Sequence, residues 1–137
     1  MSICVDASLI VKCLVSEPDS NTALVWLRSH RGEDMIAPTF IVAEVASALR
    51  KKVRRRELTH AESLEAMAAF GLLEIRTVPE HDIACRALEL SAELNQSTAY
   101  DTIYLALAEH EQCEYWTADA RFANAVSPKY PFIRLLG

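Results

Sequence analysis

The sequence predicts an α/β domain with a mainly parallel central sheet. Short apolar runs alternate along the chain with longer segments of helical periodicity, which is the pattern of strands joined by crossover helices. The runs at 3–5 and 35–37 are continuously apolar, as expected for strands that are buried on both faces. The length of 137 residues and the apolar fraction of 51% suit one compact domain. We therefore expect a single domain over residues 1–137, with about five short strands sandwiched by about seven helices.

Five apolar runs predict the strands. Each run is bounded by polar or turn-forming residues and is too short for a typical helix. Boundaries read from sequence carry an error of about two to four residues. The predicted strands are Ile3–Val5, Met35–Ala37, Leu73–Val78, Tyr115–Thr117 and Phe132–Leu135.

The segments between these runs predict helices, and several carry start signals. Pro38 suits the first turn of the third helix. Thr59 and Glu62 form a capping box for the fourth, and Ser97 or Thr98 is predicted to cap the sixth. The predicted helices cover residues 8–15, 18–29, 38–54, 59–70, 81–94, 97–111 and 120–126. The main apolar stripe predicted for the third helix comprises Val42, Val45, Ala46, Leu49 and Val53.

Composition and charge exclude several classes of protein. The net charge of −5 argues against nucleic-acid binding by bulk positive charge. No apolar run approaches the ~20 residues that span a bilayer, and Asp6 stands where a signal peptide would carry basic residues. The four cysteines form no C-x-x-C pair, which favours free thiols over disulfides or zinc ligands. We therefore expect a cytoplasmic protein without membrane association.

Four acidic residues stand alone in stretches that carry no other charge. These stretches contain 11, 15, 14 and 6 residues, and their acids are Asp6, Glu44, Asp101 and Asp119 respectively. A buried carboxylate is costly unless it takes up a proton, pairs with a cation or binds a metal. No comparable stretch offers a lone lysine or arginine, and an oxygen-only ligand set favours Mg²⁺ or Mn²⁺ over zinc. Asp6 and Asp119 also end predicted strands, where the sites of open α/β sheets gather.

Each of these acids also has a local explanation. Asp6 and Asp119 are good N-caps for the helices that follow them. Asp101 fits as the last member of a capping box that begins at Thr98. Glu44 lies opposite the predicted apolar stripe of its helix and would then face solvent, although its neighbours at helical spacing are half apolar. A shared metal site explains all four acids together, and the local explanations stay open beside it.

The same acids lie within four motifs, in a fixed order along the chain. The motifs are ICVDAS at 3–8, PTFIVAEV at 38–45, STAYDTIYLALA at 97–108 and TADARF at 117–122. Together they resemble the motifs of PIN-domain ribonucleases, and most of all those of the VapC toxins of prokaryotic toxin–antitoxin pairs. The resemblance covers essentially the whole chain. The sequence departs from the family pattern in having no second acid beside Asp119.

The resemblance implies a PIN-like domain with Mg²⁺- or Mn²⁺-dependent endoribonuclease activity, which leaves 5′-phosphate and 3′-hydroxyl ends. In this comparison Asp6 and Asp101 hold the main metal ion and Glu44 completes the site. Asp119 contributes to that ion or to a second one, and the missing neighbouring acid leaves the second position open.

The resemblance also implies supporting residues and partners. Ser8 and Thr117 would be hydroxyls that support the ligands, and local capping explains them equally well. The implied partners are an RNA substrate, a small VapB-like antitoxin and a second copy of the chain in a homodimer.

A basic cluster supplies candidates for contacts with RNA. Six of the fourteen basic residues lie within positions 50–56. The candidate phosphate-binding residues are Lys12, Arg50, Lys51 and Arg121. A solvated helix end favoured by the helix dipole explains the cluster at least as well.

Two other functions are compatible with an α/β domain that carries clustered acids. One is a catalytically silent PIN-like binding module in a protein complex, which the presence of all four acids argues against. The other is a phosphotransfer receiver or phosphatase domain. These domains carry a second acid near the first strand, which the Asp6-Ala7-Ser8 sequence lacks.

Overall fold

A five-stranded sheet forms the centre of the computed structural model, which describes residues 1–137. Every pair of neighbouring strands is parallel. The strands are β1 (Ser2–Val5), β2 (Asp34–Pro38), β3 (Arg76–Val78), β4 (Glu114–Thr117) and β5 (Ile133–Leu135). The predicted α/β architecture with a parallel sheet is confirmed.

Seven helices connect the strands, with two in each of the first three crossovers and one in the last. They are α1 (Ala7–Leu14), α2 (Ser20–Ser29), α3 (Ile41–Arg54), α4 (His60–Gly71), α5 (Ala84–Glu93), α6 (Tyr100–Glu111) and α7 (Ala120–Val126). The capping box of Thr59 and Glu62 is present at the start of α4 as predicted. No helix is both long and apolar enough to cross a bilayer.

The strand order β3-β2-β1-β4-β5 places a topological switch point beside β1. The chain runs outward from β1 to β3 and then returns to the other side of β1 as β4 and β5. Right-handed crossovers in these two directions place α1 to α4 on one face of the sheet and α5 to α7 on the other. Ligand sites of open parallel sheets lie beyond the carboxyl ends of the strands at such a reversal.

The central strands lie in a core of 30 buried residues. Cys4 on β1 pairs in register with Tyr115 on β4, and both side chains are fully buried. The thiol of Cys4 contacts the carbonyl of Tyr104 in α6, which packs against β1, β2 and β4. Burial on both faces explains why Ile3–Val5 of β1 is continuously apolar in sequence. All four cysteines are free.

The third, fifth and sixth helices begin later than predicted, at Ile41, Ala84 and Tyr100 instead of 38, 81 and 97. Pro38 is the last residue of β2, and α3 begins only at Ile41. The N–H of Thr39 donates to the carbonyl of Val78, which extends the pairing of β2 with β3 and delays the helix. The sixth helix begins at Tyr100, so neither of the two predicted capping residues lies at its start.

The apolar stripe of α3 is also rotated from the predicted one. The buried residues are Ile41, Val45 and Leu49, whereas Val42 is 46% exposed and Ala46 is exposed. The helix contacts α1 and α4 along one narrow i, i+4 row, so the second apolar row stays at the surface.

Candidate active site

Asp6 follows β1 directly and is the most buried of the four acids, at 4% exposure. Its Oδ1 accepts hydrogen bonds from the Ser8 hydroxyl at 2.7 Å and from the Leu9 N–H at 3.1 Å. Its Oδ2 accepts a hydrogen bond from the Tyr115 hydroxyl at 2.9 Å. Burial raises the pKa of Asp6, and these hydrogen bonds oppose the rise. Asp6 therefore caps α1, as its local explanation requires, and is also a buried carboxylate without a cationic partner.

Glu44 lies at the edge of the buried row of α3. Its Oε1 accepts a hydrogen bond of 2.7 Å from the Tyr104 hydroxyl of α6, and its Oε2 accepts none. Burial raises the pKa of Glu44, and the charges of Asp6 and Asp101 raise it further. The expectation of a solvent-facing side chain is wrong, because the rotation of the apolar stripe turns Glu44 toward α6.

Asp101 lies in the first turn of α6, and its carboxylate accepts no hydrogen bond. Burial, followed by the charges of Asp6 and Asp119, raises the pKa of Asp101 to about 6. The capping-box explanation is wrong, because the N-cap is Ala99 and no side chain caps the helix. The fold gives Asp101 no local partner.

Asp119 is the N-cap of α7, where its Oδ1 accepts from the Phe122 N–H at 3.1 Å. Its own N–H donates to the Thr117 hydroxyl at 3.0 Å. The hydroxyl oxygens of Ser8 and Thr117 lie 3.2 Å apart. The Ala118 N–H donates a hydrogen bond of 3.1 Å to the Ser8 hydroxyl. Ser8 and Thr117 thus connect the ends of β1 and β4, where they support Asp6 and Asp119.

The four acids form an electrostatically coupled group with no cation among them. The charge of Asp6 raises the pKa of both Glu44 and Asp101, and Asp119 acts on Asp101. Each of the ten ion pairs in the structure involves other acids. The structure therefore brings these acids together at the switch point and leaves their charge uncompensated.

The carboxylate oxygens of the four acids are chemically suitable ligands for a hard divalent cation. Carboxylate oxygens are the preferred ligands of Mg²⁺ and Mn²⁺, and Oε2 of Glu44, Oδ2 of Asp119 and both oxygens of Asp101 accept no hydrogen bond. No group of three or more His, Cys, Asp and Glu side chains is placed closely enough to hold one ion. The types of residue present suit a hard divalent cation, but their side chains are not close enough to surround one.

Two tyrosines lie beneath the acids and donate hydrogen bonds to them. The rings of Tyr104 and Tyr115 stack at 5.8 Å, and their hydroxyls hold Glu44 and Asp6 respectively. The strand period gives one signal, since Tyr115 and Thr117 point to the same face of β4. Nothing in the sequence shows that these hydroxyls reach the acids, because the contacts span 60 and 109 residues of chain.

The candidate RNA-binding cations differ in their surroundings. Lys12 forms ion pairs with Glu17 and Asp19, so acids of the same chain already offset its charge. Lys51 has no ion-pair partner and lines a cleft of about 690 Å³ that also contains Glu44 and Lys12. A second cleft, of about 340 Å³, is lined by Asp101, Asp119 and Arg121 among others. Arg50 is exposed on α3 outside both clefts.

The sequence matches the family model of the PIN domain over residues 3–127. The chain belongs to the PIN-domain family. Within it, the chain is 30% identical over 129 residues to VapC ribonuclease Mb0985 of Mycobacterium bovis and to ribonuclease VapC9 of Mycobacterium tuberculosis, covering 94% of each chain. It is also 30% identical to ribonuclease VapC1 of Mycobacterium tuberculosis, over 88% of both chains. This PIN-domain protein is therefore VapC-like, as its four motifs indicated.

The fold of this PIN domain agrees with a solved VapC structure. The Mycobacterium tuberculosis toxin VapC20, described as cleaving the sarcin–ricin loop, superposes with a TM-score of 0.69. The alignment covers 90% of this chain and 94% of VapC20 at 17% sequence identity. At that identity the match establishes the fold of the PIN domain alone.

Proposed function

We propose that this PIN-domain protein is a divalent-metal-dependent endoribonuclease and the toxin of a toxin–antitoxin pair. The observation that carries the proposal is the group of Asp6, Glu44, Asp101 and Asp119, which lies uncompensated at the switch point of the sheet. Curated relatives that align over 94% of the chain are named ribonucleases. An acidic centre of this kind is stable in a folded protein when a cation shares it.

Asp6 and Asp101 are the residues that would hold Mg²⁺ or Mn²⁺ most directly, with Glu44 completing the site and Asp119 assisting. The bound ion supplies activation of a water molecule and stabilisation of charge on the phosphate oxygens. The Ser8 and Tyr115 hydroxyls fix the carboxylate of Asp6 from both sides, and the Tyr104 hydroxyl fixes that of Glu44. Such supporting hydrogen bonds typically contribute about ten- to a hundredfold in metal affinity.

The substrate in this proposal is the phosphodiester backbone of RNA, cut to 5′-phosphate and 3′-hydroxyl ends. Lys51 and Arg121 are the cations that line the two clefts beside the acids. They are free to contact phosphates, because neither has an ion-pair partner. The partners in the cell are a small VapB-like antitoxin and a second copy of the chain in a homodimer.

The test measures metal binding and RNA cleavage on the same preparations. Calorimetric titration with Mn²⁺ is expected to detect binding to the wild type and to lose it in Asp6→Asn and Asp101→Asn. With Mg²⁺ or Mn²⁺, the wild type is expected to cleave RNA, and both variants to lose at least about a hundredfold of that activity. Asp82→Asn is the matched control, because Asp82 is an exposed aspartate outside both clefts.

The same experiment separates the ribonuclease from a silent binding module. A module would bind no Mn²⁺ in a carboxylate-dependent way and would leave RNA intact. If the wild type, Asp6→Asn and Asp101→Asn all cleaved RNA equally well, the protein would still be a ribonuclease. The assignment of the active site to these acids would then be refuted.

A further inference from the structure

An exposed aromatic ring stands beside the acidic centre, and neither the fold nor the proposed chemistry uses it. Tyr100 is 59% exposed, although most of α6 after it is buried. Its hydroxyl makes no hydrogen bond. Its ring packs at one side against Phe40, with the ring centroids 5.8 Å apart and an interplanar angle of 57°.

Phe40 gives this ring a firm support. Its ring packs edge-on against Tyr104 at 5.3 Å, and its N–H donates to the Glu80 carboxylate at 2.8 Å. Tyr104 in turn stacks on Tyr115. The exposed ring of Tyr100 is therefore the outer end of a row of packed aromatic residues that runs beneath the site. An exposed aromatic residue held in this way loses little conformational freedom when a ligand packs on it.

The cleft beside Tyr100 has the size and lining that a flat ligand requires. It has a volume of about 690 Å³, and Tyr100 and Phe40 line it together with Glu44 and Ser8 of the proposed active site. The opposite walls, from α1 and α3, carry small side chains, which leave room for a planar ring. These small residues are Ala7, Ala43, Ser47 and Ala48.

The cleft offers one free cation for a phosphate, beside the carboxylate of Glu44. Glu17 in the lining is already paired with both Lys12 and Lys52. Lys51 is the only cation of the lining without an ion-pair partner. A ligand with a flat ring and a phosphate satisfies both Tyr100 and Lys51.

We propose that Tyr100, supported by Phe40, is the stacking platform for one unpaired RNA base next to the cleaved phosphodiester, and that Lys51 contacts a neighbouring phosphate. This inference rests on the proposed ribonuclease function and adds a residue that positions the RNA beside the acids. Bases of single strands are free to stack on aromatic side chains, whereas bases within a duplex are not. Every base has a π-face, so the platform tolerates different sequences.

The test combines protein variants with a series of RNA substrates. A single-stranded RNA that the wild type cleaves is prepared with one abasic position at a time around the cleavage site. Tyr100→Leu is expected to raise KM by about fivefold or more while kcat changes by less than about twofold. The abasic substitution at one position is expected to raise KM of the wild type equally, and to have no further effect on Tyr100→Leu. Tyr100→Phe keeps the ring and is expected to match the wild type.

Leu88→Ala is the matched control, since Leu88 is an exposed apolar residue of α5 outside the cleft. The inference is overturned if, at every abasic position tested, the increases in KM caused by Tyr100→Leu and by the missing base are independent and multiply. It is also overturned if Tyr100→Phe is as impaired as Tyr100→Leu.

A second readout does not depend on cleavage. RNA with 2-aminopurine at the chosen position is titrated with protein in Ca²⁺, and the wild type and Tyr100→Phe are expected to quench the fluorescence while Tyr100→Leu does not. If the wild type cleaves no RNA but quenches the 2-aminopurine fluorescence, the proposed ribonuclease function is wrong. The stacking of a base on Tyr100 is then still supported. If base-containing and abasic RNAs bind equally well, the proposed stacking of a base on Tyr100 is refuted.

Discussion

Replacing Asp101 with asparagine is expected to stabilise the metal-free protein. Asp101 is partly buried, accepts no hydrogen bond and lies near the charges of Asp6 and Asp119. Asparagine has nearly the same shape and removes the charge. The variant therefore relieves repulsion in the folded state while it eliminates a residue that we propose as a metal ligand.

The magnitude follows from the pKa of Asp101, which rises from 3.8 to about 6 in the folded protein. That difference corresponds to about 3 kcal/mol. Solvent screens a partly exposed group, so we expect roughly 1–2 kcal/mol. For a chain of this length this is a rise in Tm of about 3–7 °C.

The sign of the pH dependence follows from the same shift. Because folding raises the pKa of Asp101, the stability that its protonated form contributes is complete below about pH 4 and is lost as the pH rises through about 6. The advantage of Asp101→Asn over the wild type should therefore be small at pH 4, grow between pH 4 and 6, and stay constant above pH 7.

The assay is thermal unfolding in EDTA from pH 4 to pH 8, with Asp82→Asn as the control. With Mn²⁺ at about a hundred times its dissociation constant, the wild type gains about 2.7 kcal/mol and overtakes Asp101→Asn. A variant that is no more stable than Asp82→Asn at pH 7.5 would contradict the reasoning. An advantage of the same size at pH 4 and pH 8 would contradict it as well.

Three further variants test other parts of the site. Tyr115→Phe removes the donor to Oδ2 of buried Asp6 and should lower the free energy of unfolding by about 1–3 kcal/mol in urea titrations at pH 7.5; an unchanged midpoint would show that this bond contributes nothing. Asp119→Ala should lose about 1 kcal/mol of stability with the cap of α7, whereas Asp119→Asn keeps the cap and should lose only Mn²⁺ affinity; equal stability of both variants would contradict the capping role. Lys51→Ala should reduce the salt dependence of single-stranded RNA binding by a slope of about 0.7, and Arg50→Ala should leave it unchanged; the reverse order would place RNA outside the cleft.

The sequence was sufficient to predict the order of strands and helices. The ends of β1 and β2 are buried on both faces, and the resulting apolar runs are visible without any knowledge of tertiary contacts. The start of α3 was misplaced because its cause is the bond between the Thr39 N–H and the Val78 carbonyl, which joins two strands that are far apart in sequence. Local signals such as Pro38 carry no information about such pairing.

The four acids of the candidate site stand out in sequence by the absence of charge around them, whereas their hydrogen-bond partners do not. Asp101 stands alone in sequence because the start of α6 faces the switch point rather than open solvent. The hydroxyl of Tyr104 reaches Glu44 only because α3 is rotated from the predicted apolar stripe. Both i, i+4 rows of α3 are apolar, so composition cannot select the row that packs against α1 and α4.

Helix capping and metal binding are not competing explanations for Asp6 and Asp119. Each carboxylate caps the helix that follows its strand, and the partial positive charge of a helix N-terminus stabilises an anion there. In each carboxylate one oxygen accepts a hydrogen bond from a helix N–H, which fixes the orientation of the side chain. The carboxylate keeps its negative charge beside the other acids of the site. Asp101 has neither a cap role nor a hydroxyl donor, so its charge is the least compensated of the four in terms of hydrogen bonds. The folded protein thus retains the acidic centre in the absence of metal, and under the proposed function Asp101 is the acid that gains most from a bound cation.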